Sequence, residues 1–170
     1  MILTHRLIRL IETHSDELAG ALLDRIHASS VLPSYSNVPP EELKGRVKEI
    51  YEHLGHWLRG GGEADIERRY MDIAVRRFSQ KVPLSELIWA IVLTEQNLWD
   101  FLTRESSPGF DVEILAEDEM LRMLDAFFDR AIYSAAKGYE KAYAETRGHE
   151  MGPDAERTTQ CLGKVTTSIN

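Results

Sequence analysis

A helical repeat of apolar residues over residues 66–102 limits the possible folds of this chain more than any other feature. Ile66, Tyr70, Ile73 and Arg77 are spaced i, i+4, i+7 and i+11, which places them on one face of a helix. Val82 and Pro83 follow and interrupt the repeat. The next stretch is apolar over more than one face, which predicts a central buried helix. Its apolar residues are Leu84, Leu87, Ile88, Ile91, Val92, Leu98, Trp99 and Leu102.

The N-terminal part of the chain also has helical spacing, and the sequence offers no convincing alternating strand. Ser15 resembles an N-cap between two apolar stretches, which can be two helices or one bent helix. Pro39 and Pro40 predict the start of a third helix, and the glycines at 60–62 predict its end. The predicted fold is therefore all-α, with about five to six helices. The apolar residues of these helices are Leu3, Leu7, Leu10, Ile11, Leu18, Leu22, Ile26, Leu43, Val47, Ile50, Leu54 and Leu58.

The last predicted helix, residues 112–146, is the longest and follows a loop at residues 106–111. It carries two apolar stripes, and two stripes require two packing partners. The domain core can cover one stripe and a second subunit the other, so we expect a homodimer. The first stripe is Leu121, Leu124, Phe128, Ala131, Ala135 and Tyr139. The second, the predicted dimer seam, is Met120, Met123, Phe127 and Ile132.

Composition and charge narrow the class of protein. A chain of 170 residues and 19.4 kDa fits a single domain, which we place at residues 1–147, with a flexible polar tail at 148–170. The net charge of −8 argues against nucleic-acid binding. No apolar run approaches the ~20 residues that cross a membrane, and the single cysteine, Cys161, excludes an internal disulfide framework. We expect a cytoplasmic protein.

The sequence predicts no catalytic residues and no metal site. His53 and His56 are three residues apart and follow Glu49 and Glu52 at i+4, so a metal site on that helix is conceivable. The pair lacks a second ligand cluster, and a solvated helix face explains it better. Cys161 lies in the polar tail without a base that could activate it. We therefore expect a non-enzymatic protein without a cofactor.

Arg77 has two interpretations. Its aliphatic stem can cover apolar surface while the guanidinium reaches water. Alternatively it lies at the mouth of an internal pocket, where it pairs with a carboxylate of the protein or with an anionic ligand. Tyr70, one step back on the same stripe, would then line the same pocket. Tyr70 and Arg77 are thus the candidate ligand-binding residues. The tryptophans Trp57, Trp89 and Trp99 and the pair Phe127 and Phe128 are expected in the core and not in a ligand cage.

The order and spacing of four segments resemble the N-terminal domain of RsbR-type regulators, the RsbT co-antagonist (RsbRD) family of the stressosome. The segments are THSDELAGALLDRI, PPEELKGRVKEIYEHLGHWLRGG, IERRYMDIAVRRFSQKVPLSELIWAIVLTEQNLWDFL and FFDRAIYSAAKGYEKAY. The resemblance covers most of the chain between His14 and Tyr143. It implies a haem-free, globin-like helical domain that dimerises and works through a regulatory protein partner. Full-length regulators continue into a second domain that receives phosphate, whereas only a short tail follows here.

A more distant similarity is to globin-coupled sensors, in which a segment of the form I-G-x-x-H-x-x-x-G-V supplies the histidine ligand of the haem iron. Residues 73–82 of this chain correspond to it, and Arg77 stands at the histidine position. A guanidinium stays protonated and is a poor iron ligand, which argues against haem binding. We therefore expect a sensor or regulatory module that acts as a homodimer. The alternatives are a small-molecule-binding domain with a pocket near Tyr70 and Arg77 and, less favoured, a metal or haem protein.

Overall fold

A computed structural model describes residues 2–58, 61–105 and 113–150. Within these ranges the chain forms six α-helices, one short 3-10 helix and no strand, so the predicted all-α fold with a long last helix is confirmed. The predicted loop at 106–111, Cys161 and most of the predicted tail lie outside the described residues. The helices are α1 (Ile2–Thr13), α2 (Ser15–Ala28), α3 (Pro40–Leu58), α4 (Glu63–Ser79), α5 (Leu84–Glu105) and α6 (Glu113–Glu150), and the 3-10 helix is Pro33–Asn37.

The first two helices are almost continuous. His14 separates them, yet its N–H donates to the Leu10 carbonyl at 3.1 Å, and its own carbonyl accepts from the Leu18 N–H at 2.9 Å. The bent-helix alternative therefore describes this region well. Ser15 is not the N-cap that the sequence predicts, because it is the first residue of α2 and its side chain is buried.

Two residues with positive φ mark the ends of α4. Gly62, at φ 90°, precedes the helix and allows the sharp turn from α3. Lys81, at φ 63°, follows it, and the N–H groups of Lys81 and Val82 donate to the carbonyls of Phe78 and Arg77. This tight turn places the end of α4 beside the start of α5.

Helices α4 and α6 form the most extensive contact between elements. They cross closely because Gly138 has no side chain, since a Cβ atom there would lie only 2.7 Å from the Cα of Met71. Nearer the start of α6 the rings of Trp57 and Phe127 stack with centroids 5.6 Å apart, and Tyr70 meets Phe127 edge-on at 6.1 Å. The core is thus aromatic where α3, α4 and α6 meet.

The core contains most of the residues that the sequence places there, although Leu121 of the first α6 stripe is exposed. Trp57, Phe127 and Phe128 are buried as expected, and Trp99 is partly buried. Trp89 was expected in the core but is 42% exposed, because α5 turns that face away from the other helices. Among the described residues, no helix has the length and apolarity needed to span a membrane.

Candidate functional site

A polar cluster built around Glu42 joins the start of α3 to the end of α4. The Glu42 carboxylate accepts two hydrogen bonds from Arg76, both at 2.7 Å, and one from Arg77 Nη1 at 2.8 Å. The amide of Gln80 also donates to it, at 3.1 Å to Oε2, and Gln80 Oε1 accepts from Arg77 Nη1 at 2.7 Å. Three side chains at the C-terminal end of α4 therefore bind one carboxylate at the N-terminal end of α3.

The helix ends favour this arrangement of charges. Glu42 lies in the first turn of α3, where the helix dipole stabilises an anion, and Arg76 and Arg77 lie in the last turn of α4, where it stabilises cations. The hydrogen bonds from Arg76, with smaller contributions from Arg77 and Gln80, lower the pKa of Glu42 from its ordinary 4.5 to about 2. Partial burial alone would raise the pKa of Glu42, so the hydrogen bonds outweigh the effect of burial.

Arg77 lies inside the protein and does not reach water. It is 2% exposed, and its guanidinium carbon lies 6.0 Å from the centre of the Tyr35 ring. Burial raises the pKa of Tyr35 to about 12, although the charge of Arg77 opposes this rise. The structure confirms the inward position of Arg77, and the guanidinium pairs with a carboxylate of the protein itself.

Tyr70 and Arg77 line the same small cavity, which lies between α2, α3, α4 and α5, is partly open to the surface and has a volume of about 50 Å³. Tyr70 is fully buried, and this burial raises the pKa of its hydroxyl. The cavity is several times smaller than the ~300–1,000 Å³ of pockets for drug-sized ligands. At this volume the cavity can hold only a very small molecule. The remaining lining is mostly aliphatic and includes Ile26, Leu43, Val47, Ile50, Leu87 and Ile91.

The four residues predicted to form a dimer seam do not share one surface. Met120 and Phe127 are buried in the core of their own chain, whereas Met123 and Ile132 are only partly covered. At ~100° per residue, Ile132 lies ~180° from Met123 around α6. The domain core thus covers parts of both predicted stripes of α6. Because Met120 and Phe127 are buried within their own chain, they are not available to a second subunit.

A partly apolar surface remains open where α5 and α6 lie side by side. Glu95 of α5 lies near Asp125 and Asp129 of α6, so these three side chains belong to one surface. Burial and these two carboxylates raise the pKa of Glu95, although a hydrogen bond from the indole of Trp99 acts to lower it. We define the α5–α6 face as Ile88, Trp89, Val92, Glu95, Trp99, Leu121, Arg122, Asp125, Ala126, Asp129, Ile132 and Tyr133.

The histidine pair considered for a metal does not form a ligand cluster. His53 is exposed, its Nδ1 lies 2.9 Å from the Glu49 carbonyl, and its ring packs 6.1 Å from that of Trp57. Across residues 2–58, 61–105 and 113–150, no three His, Cys, Asp or Glu side chains come together in a way that could hold a metal ion. The pair is therefore part of a helix surface in this structure.

The sequence reasoning missed Glu42, Gln80 and Tyr35. Glu42 is 34 and 35 residues from its two arginine partners, and no local pattern connects positions so far apart. The position of these residues within their helices could have indicated the pairing. An acidic first turn in α3 and a basic last turn in α4 meet when the two helices pack antiparallel.

The comparisons with known proteins give one family. The sequence model of one protein family, the RsbT co-antagonist protein rsbRD N-terminal domain, matches residues 16–151, which is most of the chain. Neither the curated proteins nor the solved structures gave a significant match. Proteins of this family are regulatory co-antagonists in stress signalling, and the matched domain is a sensor-type module rather than a catalytic one. The chain therefore belongs to the family of RsbT co-antagonist rsbRD N-terminal domains.

Proposed function

We propose that this chain is a non-enzymatic sensor or regulatory domain that acts as a homodimer, with two copies meeting through the α5–α6 face. The single observation that carries the proposal is the exposure of large apolar side chains on that face. Trp89 is 42% exposed and Tyr133 is 65% exposed, with the partly exposed Ile88, Val92 and Ile132 beside them. Several large apolar side chains exposed on one face of a protein are typical of an interface.

The charges on α6 favour a second copy of this chain as the occupant. In a two-fold interface, a residue i that contacts residue j is matched by j contacting i. If two α6 helices cross antiparallel near the small Ala126, Arg122 of each copy lies opposite Asp129 of the other. Arg122 and Asp129 are seven positions apart, about 10.5 Å along one helix, so they can pair only between copies. Such a dimer replaces the predicted seam of Met120, Met123, Phe127 and Ile132, of which Ile132 is retained.

Sedimentation velocity with charge-reversal variants tests the dimer. We expect the wild type to sediment as a dimer at micromolar concentration. Arg122→Asp and Asp129→Arg should each weaken association by placing like charges opposite each other, and the double variant should recover it. A control reversal, Arg68→Asp on α4, should leave association unchanged. A monomeric wild type, or single reversals that do not alter the association constant, would count against the proposal.

The proposed output is a contact with a regulatory protein partner. Family membership supports this, because co-antagonists act on other proteins. Affinity capture of partners from the native host, with wild type and the Arg122→Asp variant in parallel, would show whether the partner requires the dimer. Capture of the same proteins by a charge-matched unrelated domain would count against a specific partner.

A second candidate function is the sensing of a small molecule inside the domain. The cavity lined by Tyr70 and Arg77 favours it, since a ligand that binds only the folded state stabilises it. Native mass spectrometry of protein purified from its own host would detect a retained ligand. The absence of any bound mass, together with no ligand-dependent change in melting temperature, would count against this function.

A further inference from the structure

The cavity between α2, α3, α4 and α5 exists because α5 carries short side chains where it faces the other helices. The buried side of α5 has large residues at Leu87, Ile91 and Leu98, but Ala90 and Thr94 lie between them. Ala90 and Thr94 are both buried and both line the cavity. An apolar cavity lowers stability roughly in proportion to its volume, and a longer side chain at position 90 would remove it. Its presence therefore calls for an explanation.

The wall of the cavity is mainly apolar, and polar groups in the lining are bonded to the protein itself. The hydroxyl of Thr94 donates to the Ala90 carbonyl at 2.8 Å. The Nη1 atom of Arg77 donates to Glu42 at 2.8 Å and to Gln80 at 2.7 Å. The cavity therefore offers a bound molecule hydrophobic contact above all. The aliphatic residues of the lining are Ile26, Leu43, Val47, Ile50, Ile73, Leu87, Ala90 and Ile91.

The cavity opens between α3 and α4. Among its lining residues Arg46 is exposed and Ile73 is partly exposed, whereas the others are buried. Arg46 and Ile73 also line the outer groove between these two helices, which has a volume of about 290 Å³. The Arg46 side chain pairs at 3.3 Å with Glu49 of its own helix, so it can turn aside without breaking a contact between helices. A small molecule can thus reach the cavity past Arg46 and Ile73.

The size and chemistry of the cavity limit what it can hold. A water needs ~10–15 Å³ of the space open to its centre, so a volume of about 50 Å³ accepts roughly three to five atoms of that size. A buried water also needs about two to four polar partners, whereas apolar cavities stay dry and bind apolar molecules. The cavity therefore suits an apolar molecule with a handful of non-hydrogen atoms.

We propose that the cavity binds a small apolar molecule, of the size of a short branched or cyclic hydrocarbon, that enters between α3 and α4. Contact with the aliphatic wall provides the affinity, and the volume of the cavity sets the size limit. This inference rests on the second candidate function and names its ligand class. A molecule bound there touches all four helices, so it stabilises the folded domain.

Titration of the whole chain with isobutene and with cyclopropane tests the proposal, with binding followed by the NMR signals of Ile, Leu and Val methyl groups. Acetone and acetamide are the comparison ligands, because they match isobutene in shape but are polar. We expect saturable shifts at methyl groups of the cavity lining, a Kd in the millimolar range and a rise in melting temperature. Acetone and acetamide should bind at least about tenfold more weakly, because their polar groups would lose hydrogen bonds to water.

Two variants locate the site. Ala90→Leu fills the cavity from α5 and should abolish the shifts, with folding checked by circular dichroism. Ile91→Val removes one methyl group from the wall, so 2-methyl-2-butene, which is one carbon larger than isobutene, should gain roughly fourfold in affinity relative to isobutene. Ile11→Val is the matched control, because Ile11 is buried on α1 and does not line the cavity. It should leave that ratio unchanged.

The outcomes separate the failure of this proposal from that of the second candidate function. Equal affinity for isobutene and acetone would overturn the apolar ligand class. Binding that persists in folded Ala90→Leu, or an equal change of the affinity ratio in Ile91→Val and Ile11→Val, would overturn the cavity site. If no apolar molecule binds the wild type although protein from the native host retains a bound mass, the proposal is overturned and small-molecule sensing stands. If neither is found, both are overturned.

Discussion

Replacing Glu42 with glutamine should destabilise the fold through loss of one carboxylate. The substitution keeps the size of the side chain but removes the charge that pairs with Arg76 and Arg77. Arg77 is buried, so without the Glu42 carboxylate its charge keeps only neutral partners, among them the amide oxygen of Gln80 and the hydroxyl of Tyr35. A buried charge that loses its partner is costly because it stays out of water.

The lowered pKa of Glu42 sets the size of the effect. A fall from 4.5 to about 2, at ~1.36 kcal/mol per pH unit, gives an upper limit of ~3.4 kcal/mol in the free energy of unfolding at pH 7. The Glu42 side chain is 15% exposed, and solvent screening reduces the interaction, so we expect a loss of about 2 kcal/mol. The folded-state pKa lies below the unfolded one, so the stabilisation is complete above about pH 4.5 and disappears as the pH falls through about 2.

Urea denaturation of wild type and Glu42→Gln at several pH values measures this contribution. At pH 7 the variant should be less stable by about 2 kcal/mol, and at pH 3 the difference should fall to less than half of that. Glu52→Gln is the control on the same helix, because Glu52 is 43% exposed and its distance to Lys48 is 3.8 Å. It should cost less than about 0.5 kcal/mol. A Glu42→Gln effect as small as the control, or one that is constant between pH 7 and 3, would refute the reasoning.

Two further predictions concern the packing of α6 and the α5–α6 face. Gly138→Ala should lower the free energy of unfolding by roughly 1–3 kcal/mol, because the new Cβ would lie 2.7 Å from the Met71 backbone. Gly45→Ala is the control: a Cβ there would have no atom within 4 Å, so this substitution should raise the free energy of unfolding by about 0.5–1 kcal/mol. Equal effects of the two substitutions in urea denaturation would contradict the close crossing of α4 and α6. Glu95→Gln should strengthen the dimer at pH 7, because a neutral amide costs less to bury at the interface than a carboxylate beside Asp125 and Asp129. For the same reason the wild-type dimer should tighten as the pH falls through the raised pKa of Glu95. Sedimentation that is independent of pH and of this substitution would contradict this prediction.

Apolar periodicity predicted the helices well because it is a local property of the sequence. The stripe through Ile66, Tyr70 and Arg77 is buried as the spacing required, although Ala74 is more buried than Ile73 on that helix. Pro40 begins α3, and the break at Val82 and Pro83 separates α4 from α5. These features depend on neighbours within one or two turns, so the sequence carries them directly.

Features that depend on the packing of distant helices were predicted poorly. The two stripes of α6 were treated as separate surfaces, but the core reaches far enough around the helix to cover Met120 and Phe127. Trp89 was expected inside because tryptophan is usually well buried, yet its position on α5 faces outward. The partner of Arg77 could be described as a carboxylate but not identified, because Glu42 comes close only when α3 and α4 pack together.

Disulfide cross-linking at the centre of the proposed interface tests the pairing of two copies most directly. In a Cys161→Ser background, a cysteine introduced at Ala126 lies next to the same residue of the second copy when the α6 helices cross there, and a disulfide requires Cα atoms ~4.4–6.8 Å apart. A cysteine at Val75, which is exposed on α4, is the control. We predict that mild oxidation yields covalent dimers of the Ala126→Cys protein and not of the Val75→Cys protein. Equal or absent cross-linking at the two positions would contradict a homodimer formed through the α5–α6 face.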